Sequence, residues 1–114
     1  MVGLLNTHTV LVRALTLWIE NNIYKPLMLN DVALKAGYSR RNIQDIFLKV
    51  EKKTIADYIR NKKLENAYLD LLITVLDLID IAIKYCFDSQ KNFSRLFSKK
   101  YKMPPGSWRR RHQE

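Results

Sequence analysis

The 114 residues carry 20 Lys+Arg against 11 Asp+Glu, a formal net charge of +9. At 47% hydrophobic the chain is too apolar for a disordered basic tail, and a single cysteine, Cys86, excludes an internal disulfide framework and a Cys-built zinc cage. Such a cation surplus on so short a chain favours a polyanionic partner, nucleic acid first and an acidic membrane surface second, and leaves little depth for an enzyme's cavity.

Residues 1–6 show no basic leader before an apolar run, so they do not read as a signal peptide. The first predicted helix places Leu11, Leu15, Trp18 and Ile19 on one side, to pack beneath the first helix pair. Leu29, Val32, Ala33 and Ala36 keep helical spacing up to Gly37, a residue that stops a helix at low cost by turning left-handed. Ser39 then caps another helix, which buries Ile43, Ile46, Phe47 and Val50 and turns Arg40, Arg41, Gln44 and Asp45 outward. A long helix over about 55–75 comes next, opened by Thr54 and Asp57 in a variant capping box and striped by Ile55, Tyr58, Ile59, Ala67, Tyr68, Leu71, Leu72 and Val75. Residues 69–83 form the greasiest stretch; cut by Asp70, Asp77 and Asp80, they fall short of a bilayer span and are expected to enlarge the core, the alternative being an apolar contact patch or an aggregation hazard. Beyond them, Asp88 or Ser89 caps a helix that turns Phe93, Leu96 and Phe97 inward and Gln90, Lys91, Ser94 and Arg95 outward.

The chain contains one motif twice. Residues 29–38 match 78–87 at an offset of 49: a leading Leu, then Asp, a β-branched residue before Ala, Lys, and an aromatic after the Gly or Cys. One inserted residue later the register resumes at an offset of 50, with Ile43 on Phe93, Phe47 on Phe97, Lys49 on Lys99, Lys52 on Lys102 and Tyr58 on Trp108. Helix, tight turn, helix with a polar outer face is a helix-turn-helix. An ordinary αα-hairpin core would satisfy the apolar positions equally well; the basic, hydrogen-bonding outer faces favour DNA reading. Charge is partitioned accordingly. Residues 65–88 hold Glu65, Asp70, Asp77, Asp80 and Asp88 against Lys84 alone, whereas residues 89–113 hold eight cations and no acid. About 20 helical residues between the copies span roughly 30 Å, near the 34–36 Å between successive major-groove faces. A monomer is therefore expected to read both.

On Ala36-Gly37-Tyr38-Ser39, Gln44, Phe47, Tyr58-Ile59-Arg60, Ile81-Ala82, Phe87-Asp88-Ser89-Gln90, Phe93-Ser94-Arg95-Leu96-Phe97, Pro104-Pro105 and Trp108-Arg109, the chain resembles the AraC/XylS family of bacterial transcription regulators, in particular the stand-alone MarA/SoxS/Rob-type DNA-binding domain. The likeness covers about residues 10–110. It implies an all-α fold of about seven helices: an N-terminal helix-turn-helix lobe (8–53), a linker helix (54–76) and a C-terminal lobe (77–111). It also implies promoter activation through contact with RNA polymerase. Family reading positions map to Arg40, Arg41, Gln44 and Asp45 on the first reading helix, and to Gln90, Lys91, Asn92, Ser94 and Arg95 on the second. Relatives carry tryptophan at the position of Arg41 and arginine at that of Asp45. A carboxylate facing phosphate is repelled, so Asp45 is expected to pair with Arg41 one turn back or to accept from a cytosine amino group. Gln44 suits adenine, and Arg95 suits a base or a carboxylate within the fold. Lys49, Lys99, Lys100, Lys102, Arg109 and Arg110, with Arg111, are candidates to grip phosphate. Cys86 stands where relatives and the first copy have glycine.

No Gly-rich phosphate loop, paired metal ligands or nucleophile–base arrangement appears, and His8 and His112 lie near opposite ends, so neither catalysis nor a cofactor is expected. Double-stranded promoter DNA is the expected partner and the cytoplasm the expected compartment. No sensor is expected beside the two lobes, and control is expected through abundance or a protein partner. The rival reading is a basic module that binds polymerase or another acidic protein without reading DNA.

Overall fold

The computed structural model describes residues 6–112; the leader expectation on the first residues lies outside them except at Asn6. Seven helices run in order: α1 (Thr7–Asn21), α2 (Leu29–Ala36), α3 (Arg40–Glu51), α4 (Ile55–Ile73), α5 (Leu78–Lys84), α6 (Gln90–Tyr101) and α7 (Pro105–Arg111). No strand occurs among the described residues, and no helix there is long and apolar enough to cross a membrane. The fold is all-α, as the repeat and the family resemblance imply.

Two compact units divide the described residues: 6–23 with Leu27–Asn61, and Tyr24–Pro26 with 62–112. The division falls inside α4.

In the first unit, Asn6 accepts the amide of Thr9 at 2.8 Å and opens α1. α1 buries Val12, Leu15 and Ile19; Leu11 and Trp18 are only half-buried, so its inner face is turned slightly from the predicted one. Asp31 reaches back to the Met28 amide at 2.8 Å to start α2, and Gly37 ends it at φ 74°. The amides of both Gly37 and Tyr38 donate to the Ala33 carbonyl, which leaves a tight turn before Ser39. The Ser39 hydroxyl accepts from the Asn42 amide and begins α3, whose Ile43, Ile46 and Phe47 are buried as predicted while Val50 is only half-buried. Phe47 meets Tyr58 edge-on, ring centroids 5.5 Å apart. The Tyr58 hydroxyl donates to Glu20 at 2.6 Å, and burial, ahead of that carboxylate, pushes its pKa well up.

The second unit repeats the plan. α5 buries Ile81 and Ala82, and α6 buries Phe93 and Phe97 after Ser89, rather than Asp88, has accepted the Asn92 amide at 3.0 Å. Leu96 is half-buried. Aromatic rings run from Phe87 through Phe93 and Phe97 to Tyr101, and Tyr68 stacks on Trp108 with centroids 4.4 Å apart. The Tyr24–Pro26 segment belongs here for visible reasons. Tyr24 stacks on Tyr85, the Cys86 thiol donates to the Tyr24 carbonyl at 3.3 Å, and Lys63 donates to the Lys25 carbonyl at 2.9 Å. Lys63 is buried, and that desolvation pulls its ammonium below the usual lysine range.

Two expectations are corrected. α4 ends at Ile73, not near 75. Thr74 donates its hydroxyl back to the Asp70 carbonyl at 2.7 Å and accepts from the Leu76 amide, while Arg109 draws off the Leu71, Thr74 and Leu76 carbonyls. With the terminal acceptors satisfied from outside, the chain leaves the helix. The apolar stretch 69–83 is also less buried than predicted. Leu71, Ile81 and Ala82 are inside, but Leu69, Leu72, Ile73, Val75, Ile79 and Ile83 are exposed. Buried among them instead is Asp70, held by Lys84 at 2.8 Å and the Tyr85 hydroxyl at 2.7 Å.

Candidate nucleic-acid interface

Each unit presents one 12-residue helix behind a serine cap, α3 behind Ser39 and α6 behind Ser89. Both end on a lysine in the left-handed conformation, Lys52 at φ 63° and Lys102 at φ 62°. These pairs stand 50 residues apart, so the structure carries the offset read from the sequence. In both helices the aromatic and aliphatic side chains anchor one face and leave the other to polar groups; neither has an acid in its first turn. Their amino-terminal turns therefore combine a partial positive charge with cationic side chains, an arrangement suited to a polyanion.

On α3, Arg40, Arg41, Asp45 and Lys49 are exposed. Among the described residues Asp45 makes no ion pair with Arg41, and neither side chain is otherwise engaged. The expected pair is therefore absent, and both side chains are free for solvent or a ligand. Gln44 is half-buried, and its side-chain oxygen accepts the amide of Ile55 at 3.2 Å. That oxygen caps α4, so the two-pronged amide contact with adenine is not available in this conformation. Asn42, unremarked in the sequence, is exposed on the first turn of α3. The signal was there: Asn42 is the counterpart of Asn92 at the 50-residue offset.

On α6, Gln90, Lys91 and Arg95 are exposed, and Asn92 and Ser94 half-buried. Arg95 donates to the Asn92 side-chain oxygen at 2.8 Å, one turn back, and meets no carboxylate. A guanidinium steered by a neutral amide keeps its full charge and further donors for a base edge or phosphate. Lys99 and Lys102 are exposed; Lys100 is half-buried, 3.9 Å from Glu65 and over the Tyr101 ring.

The three arginines of α7 separate. Arg110 and Arg111 are exposed, with Arg110 donating to Ser107 at 3.2 Å. Arg109 turns inward: its guanidinium donates to the carbonyls of Leu71 at 3.1 Å, Thr74 at 3.3 Å and Leu76. The expectation that Arg109 grips phosphate gives way to a clasp on the α4–α5 connection.

Cys86 has φ 62°, the left-handed value that its position in the turn implied. Its amide donates to Ile83 and that of Phe87 to Ala82, as at the Gly37 turn.

Comparison with known proteins bears on this arrangement directly. The profile of a family described as a helix-turn-helix domain matches residues 32–111. The chain is 43% identical over 103 residues to the TetD protein of transposon Tn10 from Escherichia coli, covering 90% of this chain and 75% of that one. It is 39% identical over 100 residues to the transcriptional regulator Rob of Salmonella typhimurium, covering 88% of this chain and 35% of Rob, so it spans about a third of that relative's length. To the regulatory protein SoxS of Escherichia coli it is 35% identical over 105 residues, covering 92% of this chain and 98% of SoxS. Among solved structures, the C-terminal domain of AraT, a response regulator from Geobacillus stearothermophilus, superposes with a TM-score of 0.87 at 23% identity, covering 96% of this chain and 91% of that one, a likeness of fold. With its duplicated helix-turn-helix and these relatives, the chain belongs to the AraC/XylS family of DNA-binding transcription regulators, among its SoxS- and Rob-like members.

Proposed function

We propose that the protein is a monomeric promoter-specific regulator that lays α3 and α6 in two successive major grooves of one duplex and activates transcription through contact with RNA polymerase. The observation that carries this reading is the duplication: one chain holds two serine-capped helices with polar or charged side chains at matching positions (Arg40 and Gln90, Arg41 and Lys91, Asn42 and Asn92, Asp45 and Arg95), which an ordinary helix-turn-helix protein achieves by dimerising. Base reading falls to Arg40, Arg41, Asn42 and Asp45 on α3, and to Gln90, Lys91, Asn92, Ser94 and Arg95 on α6. Lys49, Lys99, Lys100, Lys102 and Arg110 supply phosphate contacts, and Gln44 holds the start of α4 against the reading helix.

Selection of bound sites from random duplex DNA tests the reading. The expected outcome is two short conserved blocks about 10 base pairs apart, bound one protein per duplex, with affinity falling steeply in salt while the preference persists. Equal binding of selected and scrambled duplexes would leave a basic protein-interaction module. Transcription from a promoter carrying the selected site, reconstituted with bacterial RNA polymerase, reads activation separately.

A further inference from the structure

A cleft of about 580 Å³ opens in the first unit, between the first two turns of α1 and the end of α3. That is the size of site that takes a small organic molecule. Its lining is divided. Ile46, buried, and Val50, half-buried, stand one turn apart on α3 and form an apolar wall. Arg13, Lys49 and Lys52 set three permanent cations against one carboxylate, that of Glu51. Arg13 and Lys49 are exposed, and among the described residues neither head group is held by a carboxylate or a carbonyl. Lys52 is fixed in place, its ammonium donating to the Lys49 carbonyl at 2.8 Å. Asn6 commits its side-chain oxygen to the amide and hydroxyl of Thr9, at 2.8 and 3.1 Å, which leaves its NH2 group as a further donor.

A cation surplus of two beside an apolar wall matches a dianion carried on an apolar body. A phosphate monoester, with its second pKa near 6, is such a group at neutral pH and suits a guanidinium fork. A carboxylate, or a phosphodiester of the DNA backbone, brings a single charge. The duplicated plan shows what distinguishes this cleft from general attraction to anions. At the 50-residue offset Lys49 and Lys52 recur as Lys99 and Lys102, but Val50 gives way to Lys100, which lies over the Tyr101 ring and 3.9 Å from Glu65. The end of α6 keeps the cations and loses half of the apolar wall. We infer that the cleft between α1 and α3 binds a small organic phosphate monoester, its phosphate held by Arg13 and Lys49 and its apolar body laid on Ile46 and Val50. The site lies within the first unit and is read on the free protein, so it does not depend on the promoter-reading proposal.

Four probes test it on the 15N-labelled full chain by amide chemical-shift mapping at about pH 7.5 and constant ionic strength, where the monoesters are dianions. Phenyl phosphate carries both features; methyl phosphate keeps the charge without the ring, benzoate keeps the ring with one charge, and dimethyl phosphate stands in for the DNA backbone. Phenyl phosphate should give saturable shifts at residues 8–13 and 46–52 and bind there about tenfold tighter than each of the others. At the end of α6 it should do no better than methyl phosphate. Arg13→Gln with Lys49→Gln should weaken phenyl phosphate binding about tenfold or more at an unchanged melting temperature, since both side chains are exposed. Lys25→Gln with Lys35→Gln, which removes the same charge from exposed positions outside the cleft, should leave that binding in place. No saturable shift at the cleft would overturn the inference, as would equal weakening by the two pairs of substitutions. Methyl phosphate or benzoate binding as tightly as phenyl phosphate would refute the match of charge and apolar body. Dimethyl phosphate binding as tightly would make the cleft a grip for the DNA backbone instead.

Discussion

Cys86 stores backbone strain that glycine would release, and the size of the effect is set by its surroundings. At φ 62° a side chain with a Cβ costs about 1.5 kcal/mol. Glycine removes that cost but returns about 0.7 kcal/mol of chain entropy to the unfolded state. It also loses the thiol bond to the Tyr24 carbonyl, 3.3 Å and, from so weak a donor, worth about 0.5 kcal/mol. Cys86→Gly alone should therefore gain only about 0.3 kcal/mol over the parent. The informative comparison is Cys86→Gly with Cys86→Ala, because both lose the thiol and only alanine keeps the strain. Glycine should be the more stable by about 0.8 kcal/mol. At about 2.1 cal/mol/K of unfolding entropy per residue, that separates the two melting temperatures by roughly 3 °C in a calorimeter. The first copy supplies the mirror experiment. A Cβ added at Gly37 meets nothing within 4 Å, so Gly37→Ala pays for its φ of 74° alone and should lose about the same 3 °C. DNA affinity should not change in any of these variants. An alanine at 86 that melts with or above the glycine would refute the strain argument.

The other expectations concern residues whose roles the structure redistributes. Arg109→Ala strands three backbone carbonyls and should cost about 2–3 kcal/mol of stability in denaturant unfolding, with the salt dependence of DNA binding unaltered; an unchanged midpoint with a shallower salt slope would return it to phosphate. Gln44→Ala uncaps α4 and should lower stability by about 1 kcal/mol without altering the selected sequence, so a changed base preference would make Gln44 a reader after all. Asp45→Arg should strengthen binding to every duplex and steepen the log–log salt slope by about one, because the carboxylate is exposed and unpaired; unchanged affinity would place it away from the duplex. Arg95→Ala should cost about 1–3 kcal/mol in gel-shift affinity and relax preference at one base position, whereas a uniform loss on all sequences would assign it to phosphate.

Legibility in the sequence divides by the range of the interaction. Serine caps at 39 and 89, the glycine stop at 37, and the inward faces of α3 and α6 depend on neighbours within a turn or two, and sequence spacing exposes them. The 49–50 residue repeat extended that reach by letting one copy interpret the other; it would also have nominated Asn42 through Asn92. The end of α4 was not legible in the same way, because the groups that satisfy Leu71, Thr74 and Leu76 sit on an arginine more than 30 residues later. Gln44 failed for a related reason, since its bond to Ile55 exists only once α3 and the start of α4 have been packed together. Exposure of Ile73, Val75, Ile79 and Ile83 was the less favoured of two readings: apolar composition favours burial on average but says nothing of whether this fold supplies a cover.

The arginine run of α7 shows how far local geometry can be pressed. Three consecutive cations on a helix fan over about 200° at 100° per residue, so they cannot all face the same phosphate surface. Pro105 is buried, and Arg109 lies four residues later on its face, whereas Arg110 and Arg111 rotate away into solvent. Phase alone therefore separates the structural arginine from its neighbours once one inward residue of α7 is known. The same reasoning applies to the whole +9 surplus. Charge attracts the chain to DNA, but helical phase determines which cations are left outside to meet it.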